Sequence, residues 1–567
     1  MPLMSALYVG ASGLQTSQNA LNTTAHNLAN IDTTGYTRQQ VLQGNRELIK
    51  IGESYNNTLQ SGLGVAYTDV RAVRDEFLDR QYRTESGRSA YYSTSYEAVS
   101  EVNTLFGETE GTEFQASLQN LRDALENLSK SPADATVQAA LVSTASQFLD
   151  RANAVYSDLR TYQENLNQQI KDQVDKINEY AKQIADLNVK ITAYEVSGIE
   201  SPNDLRDARD QILDELSAYG RIDYREDMQG RVKVFFEGVT LVDEDDTNPM
   251  VAAILPGDEE SGFVTPAWER YNNQKVFNLT QPINADIGSD NGSLKALYFS
   301  RGYKPGTWKD LEASSYPDPN FDSDQLQGKI SFEAYGEPGK VSFVGPAGFN
   351  ISEVQAEFDN LIHDITTSIN DLLTNDHTNG SPELFTRITT HNSETKTDYS
   401  TATTSSDIEA KELDKSIDGN EYVNATFTIA NLMINKDLLR QPSLMNNGFI
   451  KNDQTVDYET AKKLADIFYD DAHKETLNPN TITKFGYENY YINIVNQYAN
   501  YGNTYRSVSM GQEASVLNIE NSRQQVVGVS DNEELTKMIR FQNAYNANSR
   551  YINTINSMLD TLLTSLT

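Results

Sequence analysis

The chain contains no cysteine, which removes disulfides, thiolate metal sites, iron–sulfur clusters and thiol nucleophiles at once. Histidine is scarce: His26, His363, His377, His391 and His473 are the five present, and none stands in an HExxH pair. His363, His377 and His391 follow one another at 14-residue spacing, too wide for one helix face to gather them on an ion, so surface positions are expected. Long apolar runs are missing too. The longest aliphatic stretch, Met250 to Leu255, falls far short of the ~20 residues that a membrane helix needs, and no Lys or Arg precedes Arg38. Neither a cleaved secretory signal nor a membrane span is therefore expected. Positive charge is in deficit: 46 Lys and Arg face 81 Asp and Glu, a net charge of −35 that repels phosphate backbones and anionic lipid alike. No nucleic-acid or membrane partner is expected. The apolar share, 38% with Tyr counted, lies under the ~45–50% of compact chains, and 567 residues leave room for roughly three to four domains. An elongated multi-domain molecule is the expectation.

Charge of either sign is nearly missing from the two ends. From Met1 to Thr37 the only charged side chain is Asp32, and from Phe541 to Thr567 only Arg550 and Asp560 interrupt Asn, Ser, Thr and apolar residues. Positions 4, 7, 11, 14, 18, 21, 25 and 28 read Met, Leu, Ala, Leu, Gln, Leu, Ala, Leu, an alternating three–four spacing that fits a coiled-coil seam. Positions 538, 541, 545, 548, 552, 555, 559, 562 and 566 repeat the alternation as Met, Phe, Tyr, Asn, Ile, Ile, Leu, Leu, Leu. Each helix is expected to bury its stripe against the other and to pack its polar back against neighbouring subunits. The plain alternative is an ordinary bundle of two terminal helices. The assembly-interface candidates are thus Met4, Leu7, Leu14, Leu21 and Leu28 with Met538, Phe541, Tyr545, Ile552, Ile555, Leu559, Leu562 and Leu566.

After the first helix, the run Asn27-Leu28-Ala29-Asn30-Ile31-Asp32-Thr33-Thr34-Gly35-Tyr36 is built from turn and capping residues, so a defined bend is expected. Residues 90 to 220 read as helix. Ser131-Pro132 and Ser201-Pro202 are expected to start two of the helices as N-cap and N1. From Leu159 to Tyr194 the periodicity predicts a helix of about 36 residues, roughly 54 Å long. Alternation at Arg231 to Phe236, between Gly230 and Gly238, predicts a strand pair, and Lys329–Ala334 with Lys340–Val344 predicts a hairpin. Ser352 with Gln355 reads as a capping box, followed by a stripe through Val354, Phe358, Leu361, Ile365, Ile369 and Leu372, off which His363 falls. Residues 378 to 424 are polar throughout, either a loop-rich β excursion or partly disordered. Tyr458–Asp470 and Thr481–Ile539 read as helix again.

Catalysis needs a nucleophile with a base, a metal site, or paired carboxylates in a cleft, and no motif places any of them. Asp243-Glu244-Asp245-Asp246 reads as a solvated turn after a strand. Asp286 to Gly292 lacks the terminal Glu of a calcium loop, and Ser61-Gly62-Leu63-Gly64-Val65 reads as a hairpin turn without the third Gly of a phosphate cradle. No catalytic, cofactor or metal site is expected.

Asn27-Leu28-Ala29-Asn30 followed by Thr34-Gly35-Tyr36 resembles the N-terminal signature shared by bacterial flagellar rod, hook and hook-associated proteins. Glu534-Leu535, Phe541-Gln542-Asn543-Ala544-Tyr545 and Leu559-Asp560-Thr561-Leu562-Leu563 are similar to the signature that closes them. Within that group, three features resemble the FlgK family of hook-associated proteins. They are Gly35-Tyr36-Thr37-Arg38-Gln39, the helical run Leu121 to Ile191, and Pro202-Asn203-Asp204-Leu205-Arg206-Asp207-Ala208-Arg209-Asp210. Against the family pattern, Gly528-Val529-Ser530-Asp531-Asn532-Glu533-Glu534 departs locally, 297–350 looks like an insertion, and 378–430 looks short.

The resemblance implies a structural adaptor layer between hook and filament, a tubular homo-oligomer exported without a cleaved signal to the extracellular flagellum. The implied partners are further copies of the chain, the hook protein, a second hook–filament junction protein, and a cytoplasmic export chaperone. Ile552, Ile555, Leu559 and Leu562 are the handle for that chaperone's groove. Asn27, Asn30, Gly35 and Tyr36 form the family turn. The fold class expected is α+β and multi-domain. Residues 1–35 and 532–567 would form a paired inner-tube helix domain, and 36–215, 351–376 and 436–531 a helical rod. Residues 216–350 and 377–435 would form β-rich outer excursions. Two other functions compete: a flagellum-exported adhesin using those excursions, and an exported wall-degrading hydrolase, which would need a carboxylate pair at a cleft.

Overall fold

The structure, a computed structural model, describes residues 2–46, 48–54, 57–107, 114–195, 202–255, 262–277, 283, 285, 287–302, 304–311, 349–374, 382–387, 427–450, 454–469, 475–476 and 484–566. Among them the helices are α1 (Pro2–Ala29), α2 (Glu76–Phe106), α3 (Phe114–Lys130), α4 (Ala135–Glu195), α5 (Asn203–Ser217), α6 (Ser293–Arg301), α7 (Ile351–Thr374), α8 (Lys436–Arg440), α9 (Tyr458–Asp466), α10 (Tyr487–Val527) and α11 (Asp531–Leu566). The strands are β1 (Gln39–Asn45), β2 (Leu48–Ser54), β3 (Asn57–Gly62), β4 (Val65–Ala72), β5 (Ile222–Glu226), β6 (Val232–Phe236), β7 (Val239–Asp243), β8 (Asp246–Thr247), β9 (Met250–Ala253), β10 (Thr265–Trp268), β11 (Gln274–Lys275), β12 (Phe385–Arg387), β13 (Leu432–Ile434), β14 (Glu475–Thr476) and β15 (Lys484–Phe485). The chain is α+β, mostly helical with small antiparallel sheets. No described helix is long and apolar enough to cross a membrane.

The chain divides into two compact units. The first comprises Met1–Ala90, Asp175–Met250 and Met510–Thr567; the second comprises Tyr91–Val174 and Val251–Ser509.

In the first unit, β1 pairs with β4 and β2 with β3, two antiparallel strand pairs that together make a ribbon, each with a register shift. Ser61 to Val65 is therefore not a hairpin turn. It joins the two halves of one arm of the ribbon, where the Arg46 amide donates to the Gly64 carbonyl at 3.1 Å. The predicted strand pair near residue 231 is part of a four-stranded antiparallel sheet in the order β5-β6-β7-β8. The acidic run makes the β7–β8 turn, with Lys233 at 3.0 Å from Asp243 and Arg231 on Glu244. This sheet is held to α4 by Asn188, whose side chain takes the Val232 amide at 3.0 Å and gives to its carbonyl at 2.8 Å.

Two helix starts differ from expectation. α4 begins at Ala135 and not near Ser131, because the Asp134 carboxylate accepts the Thr136 amide at 2.8 Å while residues 131–134 close a turn. It then runs 61 residues to Glu195, about 90 Å at 1.5 Å per residue, well beyond the predicted 36. α5 begins at Asn203 after Pro202, which offers no capping side chain; Ser201 lies outside the described residues. The predicted helix Thr481–Ile539 is broken at residues 528–530, and that at Tyr458 ends at Asp466. The predicted hairpin at 329–344 and the polar stretch 378–424, except for residues 382–387 that carry β12, lie outside the described residues, as do His377, His391 and His473.

The second unit is organised by α7. Its apolar side carries the expected stripe, and Phe358 sits in an aromatic cluster at 4.9 Å from Phe114 and 5.8 Å from Phe106. Leu373, not Leu372, is the buried member at the helix end. Asn350, not Ser352, caps the helix, its side-chain oxygen accepting the Glu353 amide at 2.8 Å. Ser352 and Gln355 are thereby free for other work: Ser352 donates to the Lys304 carbonyl and Gln355 accepts the Gly306 amide at 2.9 Å.

They open a buried polar row down the opposite side of α7. Asp359 accepts the amides of Trp308 at 3.0 Å and Ile429 at 2.7 Å. His363 is buried, stacked on Trp308 with ring centroids 3.8 Å apart, and its Nδ1 lies 3.1 Å from the Phe427 carbonyl, to which it donates. The surface position expected for it is thus corrected. Asn370 accepts the Leu384 and Phe385 amides and donates to the Phe385 carbonyl at 2.8 Å, anchoring the β12–β13 ladder. Side chains on successive turns of a buried helix, and again at Asn370, thus fix the backbone of incoming segments, which satisfies amides that water cannot reach.

Because Asn370 serves three buried backbone groups, Asn370→Ala should cost on the order of 2–4 kcal/mol and release β12 and β13 first. Hydrogen exchange should show loss of protection at Leu384 and Phe385 before α7 is affected; uniform loss across the unit would contradict this assignment.

Candidate functional site

The chemistry of the first unit centres on the place where the two ends of the chain meet. α1 and α11 pack side by side in antiparallel order: Gly10 lies against Tyr551 and Ile552, Gly13 against Asn548, and Asn27 against Glu534. A Cβ at Gly10 would stand 2.8 Å from Ile552, and one at Gly13 2.8 Å from Asn548, so the contact is closer than any side chain permits. Ser17, Ala20, Thr24 and Asn27 continue the line and are buried.

This line is one residue out of step with the predicted stripe of α1. Leu7, Leu14, Leu21 and Leu28 are half-buried, and Met4 is exposed. Large residues are turned aside because small ones allow the closer backbone approach and greater dispersion contact. On α11 the face against α1 is the predicted one: Met538, Phe541, Tyr545, Ile552 and Leu559 are half-buried and Ile555 is buried. Leu562 is exposed, and the Leu566 side chain lies outside the described residues. The signal that was missed is the second three–four series, 10, 13, 17, 20, 24 and 27, made of Gly, Ser, Ala, Thr and Asn.

The family turn folds back onto the end of α1. The Asn27 side chain, 1% exposed, makes four hydrogen bonds. Its Oδ1 accepts from the Tyr36 hydroxyl at 2.8 Å and the Gln39 amide at 2.9 Å; its Nδ2 donates to the Gln39 carbonyl at 2.9 Å and to Glu534 at 3.1 Å. Asn30 bridges the His26 carbonyl and the Thr33 hydroxyl, and Gly35 takes φ +80°, in the left-handed region. Tyr36 packs edge-on against His26, and burial, then Asp204, Asp207 and Glu534, raise its phenol above the usual range. Glu534 is 1% exposed and is neutralised by Lys537 at 2.6 Å. The four turn residues of the sequence pattern are thus brought together.

α5 clamps this turn to the ribbon stem. Asn203 donates to the Val70 carbonyl at 2.8 Å, Asp204 accepts from Gln39 at 3.0 Å, and Asp207 accepts the Thr37 amide at 2.9 Å. Arg74 reaches Asp207 at 3.6 Å and also binds Asp210. Arg83 binds Asp214 at 2.6 Å and Asp210 at 3.2 Å under the ring of Tyr224. Arg523 of α10 completes the cluster with Asp79 at 2.9 Å and Asp214 at 2.8 Å. Burial would lower the Arg83 pKa, but Asp214 and Asp210 outweigh it and raise it. Asp207 goes the other way: burial pushes it up to about 6, against the opposing pull of the Thr37 amide and Arg74. Beside the clamp lies a cleft of about 920 Å³, lined by residues 31–38, Gln211, Asp214, Arg523 and the α10–α11 linker. Of the acids in the clamp, Asp79, Asp207, Asp210 and Asp214 are engaged by arginine.

Two outcomes test this geometry. Asn27→Ala strands four partners at a buried site and should cost about 2–4 kcal/mol, read as faster exchange at the Gln39 amide. Asp207 holds a proton more tightly folded than unfolded, so its contribution is full below 3.8 and falls as pH rises to about 6. The first unit should lose up to about 3 kcal/mol across that window, and Asp207→Asn should flatten the slope measured by exchange at the Thr37 amide.

Comparison with known proteins gives this geometry a family. The helical domain of flagellar hook-associated protein FlgK matches residues 99–382. The flagella basal body rod protein matches 7–37 and the C-terminal part of flagellar basal body rod FlgEFG proteins matches 523–565, which contain the two halves of the α1–α11 contact. Flagellar hook-associated protein 1 of Bacillus subtilis (strain 168) is 24% identical over 563 residues, covering 98% of this chain and 96% of the relative. The protein of the same name from Escherichia coli (strain K12) is 25% identical over 578 residues, covering 99% and 100%. A solved structure of the flagellar hook junction protein FlgK from Burkholderia pseudomallei aligns with a TM-score of 0.39 and 17% identity over 55% of this chain and 47% of that one. With the helical-domain match spanning half of its residues, the chain belongs to the flagellar hook-associated protein FlgK family.

Proposed function

We propose that this chain is the adaptor layer between flagellar hook and filament, polymerising into a short tube through α1 and α11. Membership of the family makes it a structural component of the extracellular flagellum that works with other flagellar proteins. The observation that carries the finer reading is the outer side of the terminal pair. Met4, Tyr8, Val9, Leu535, Ile539, Met558, Leu562 and Leu563 are exposed there; α1 holds no Asp, Glu, Lys or Arg, and α11 from Phe541 onward holds two charged side chains, Arg550 and Asp560, within a chain of net charge −35. Apolar side chains left in water on helices so poor in charge over most of their length favour burial against like copies, while the acidic remainder keeps those copies soluble.

In this reading residues 1–35 and 532–567 form the inner tube, 36–215, 351–376 and 436–531 the rod, and 216–350 with 377–435 the outer excursions. The stripes, including Leu7, Leu14, Leu21, Leu28 and Leu566, pack as coiled-coil seams between copies. The hook protein lies on one side and a second junction protein on the other. An export chaperone takes Ile552, Ile555, Leu559 and Leu562; Ile555 is covered by α1 in the folded chain, so chaperone and α1 compete for one face.

Electron microscopy of cells lacking the gene, with an assay for flagellin in the medium, tests the reading. Bare hooks with shed flagellin are expected, and normal filaments would overturn it. At residue level, Leu14→Asp or Leu559→Asp should leave the second unit folded and abolish incorporation at the hook tip, since the new charge would be buried without a partner. Normal assembly of both variants would refute the assigned interface.

A further inference from the structure

The function proposed above makes no use of a pair of carboxyl groups inside the second unit. Glu353 and Glu357 stand one turn apart on α7, 1% and 0% exposed. Glu353 has one hydrogen-bond partner, the Asn350 amide at 3.4 Å, and its Oε1 is buried with none. No Lys, Arg or His forms an ion pair with it among the described residues. From α10, the Tyr498 hydroxyl donates to Glu357 Oε2 at 2.6 Å; Tyr498 itself is 0% exposed and packs on Phe349 at 5.7 Å, and Tyr501 lies next on the same helix. Among the described residues, the titratable groups acting on Glu353 are Glu357 of its own helix and the phenols of Tyr498 and Tyr501 on the helix opposite, with Asn350 at the helix end.

An ionised carboxylate so enclosed would face a second carboxyl with one long hydrogen bond and, among the described residues, no ion-pair partner of its own, an arrangement that burial disfavours strongly. A neutral carboxylic acid meets no such obstacle, because it gains an O–H that can be donated to the neighbouring carboxyl. We propose that Glu353 is held as the neutral acid in the folded chain, sharing its proton with Glu357, so that the α7–α10 contact is a proton-dependent lock that loosens in alkaline solution. Burial, and then the charge of Glu357, push Glu353 well above the ordinary carboxylate range. A folded-state proton held more tightly than in the unfolded chain stabilises fully below the ordinary glutamate value of 4.5, and that contribution is lost as pH rises through the folded-state value.

The chain offers a selective probe. Its only two tryptophans, Trp268 and Trp308, both belong to the second unit, so their fluorescence follows that unit in the intact protein. The thermal midpoint read in this way should fall by several degrees between pH 6 and pH 9 in the parent chain, and Glu353→Gln should remove that fall, leaving the variant the more stable at pH 9. The difference between the two proteins isolates Glu353 from His363 and the tyrosines. Parallel pH profiles of parent and variant would overturn the proposal. Infrared spectra of the parent supply an arm that does not depend on the variant folding: a protonated-carboxyl C=O band should persist at neutral pH and vanish as the second unit opens at alkaline pH, and its absence at neutral pH would equally overturn it.

Discussion

The buried side-chain amide of Asn27 ties the turn end of α1 to the ribbon and to α11. α1 has no charged pair along its length and little apolar surface of its own facing inward, so as an isolated segment it would be marginal in water. Its order depends on being fixed at one end. Asn27 does this by satisfying the backbone of Gln39 in both directions while holding the Tyr36 hydroxyl and the carboxylate of Glu534, 507 residues further on. Ribbon, turn and both terminal helices converge on one polar side chain with no spare valence. Such a fully used amide specifies geometry more sharply than an apolar contact of the same size, because each alternative arrangement leaves a buried group unpaired.

The acids of α5 show why a conserved-looking charged motif need not be a surface. Asp207, Asp210 and Asp214 recur at three- and four-residue spacing and so share one helix face, and Arg74, Arg83 and Arg523 arrive at it from the ribbon stem, α2 and α10. Arginine suits this role because its planar fork reaches two carboxylates at once, as Arg83 does, and its flat face stacks on Tyr224 or Tyr82. What the sequence displays as a family marker is, physically, the joint that fastens three separate stretches of the first unit.

Much of this was legible in advance. On α11 the expected stripe is at least half-buried from Met538 to Leu559 while Leu562 is exposed, the bend at Asn27 to Tyr36 is real, and the apolar side of α7 was read correctly apart from its last member. The misses on α1 and α7 share one physical origin, namely that small and polar side chains were not expected to form the contact within the chain. On α1, Gly10, Gly13, Ala20 and Thr24 form the closer contact and displace the leucines from it. On α7, Asp359, His363 and Asn370 turn inward to serve backbone amides of segments distant in sequence. Periodicity reports where apolar side chains recur, and it is silent on polar side chains buried by partners that arrive from elsewhere. The caps failed for a related reason: Asp134 and Asn350 hold the helix starts, and each lies within three residues of the Ser that seemed the better candidate.

The ribbon of β1 to β4 carries a register shift in each strand pair, between Leu42 and Gln43 and between Lys50 and Gly52. An extra residue on one strand sharpens the local right-handed twist. A two-stranded ribbon has both outer edges unpaired, and a straight one would offer a template along which neighbouring chains could stack strand on strand. With a kink built into each half, no long flat edge survives, and sheet-like association between crowded copies is discouraged at the level of the backbone itself.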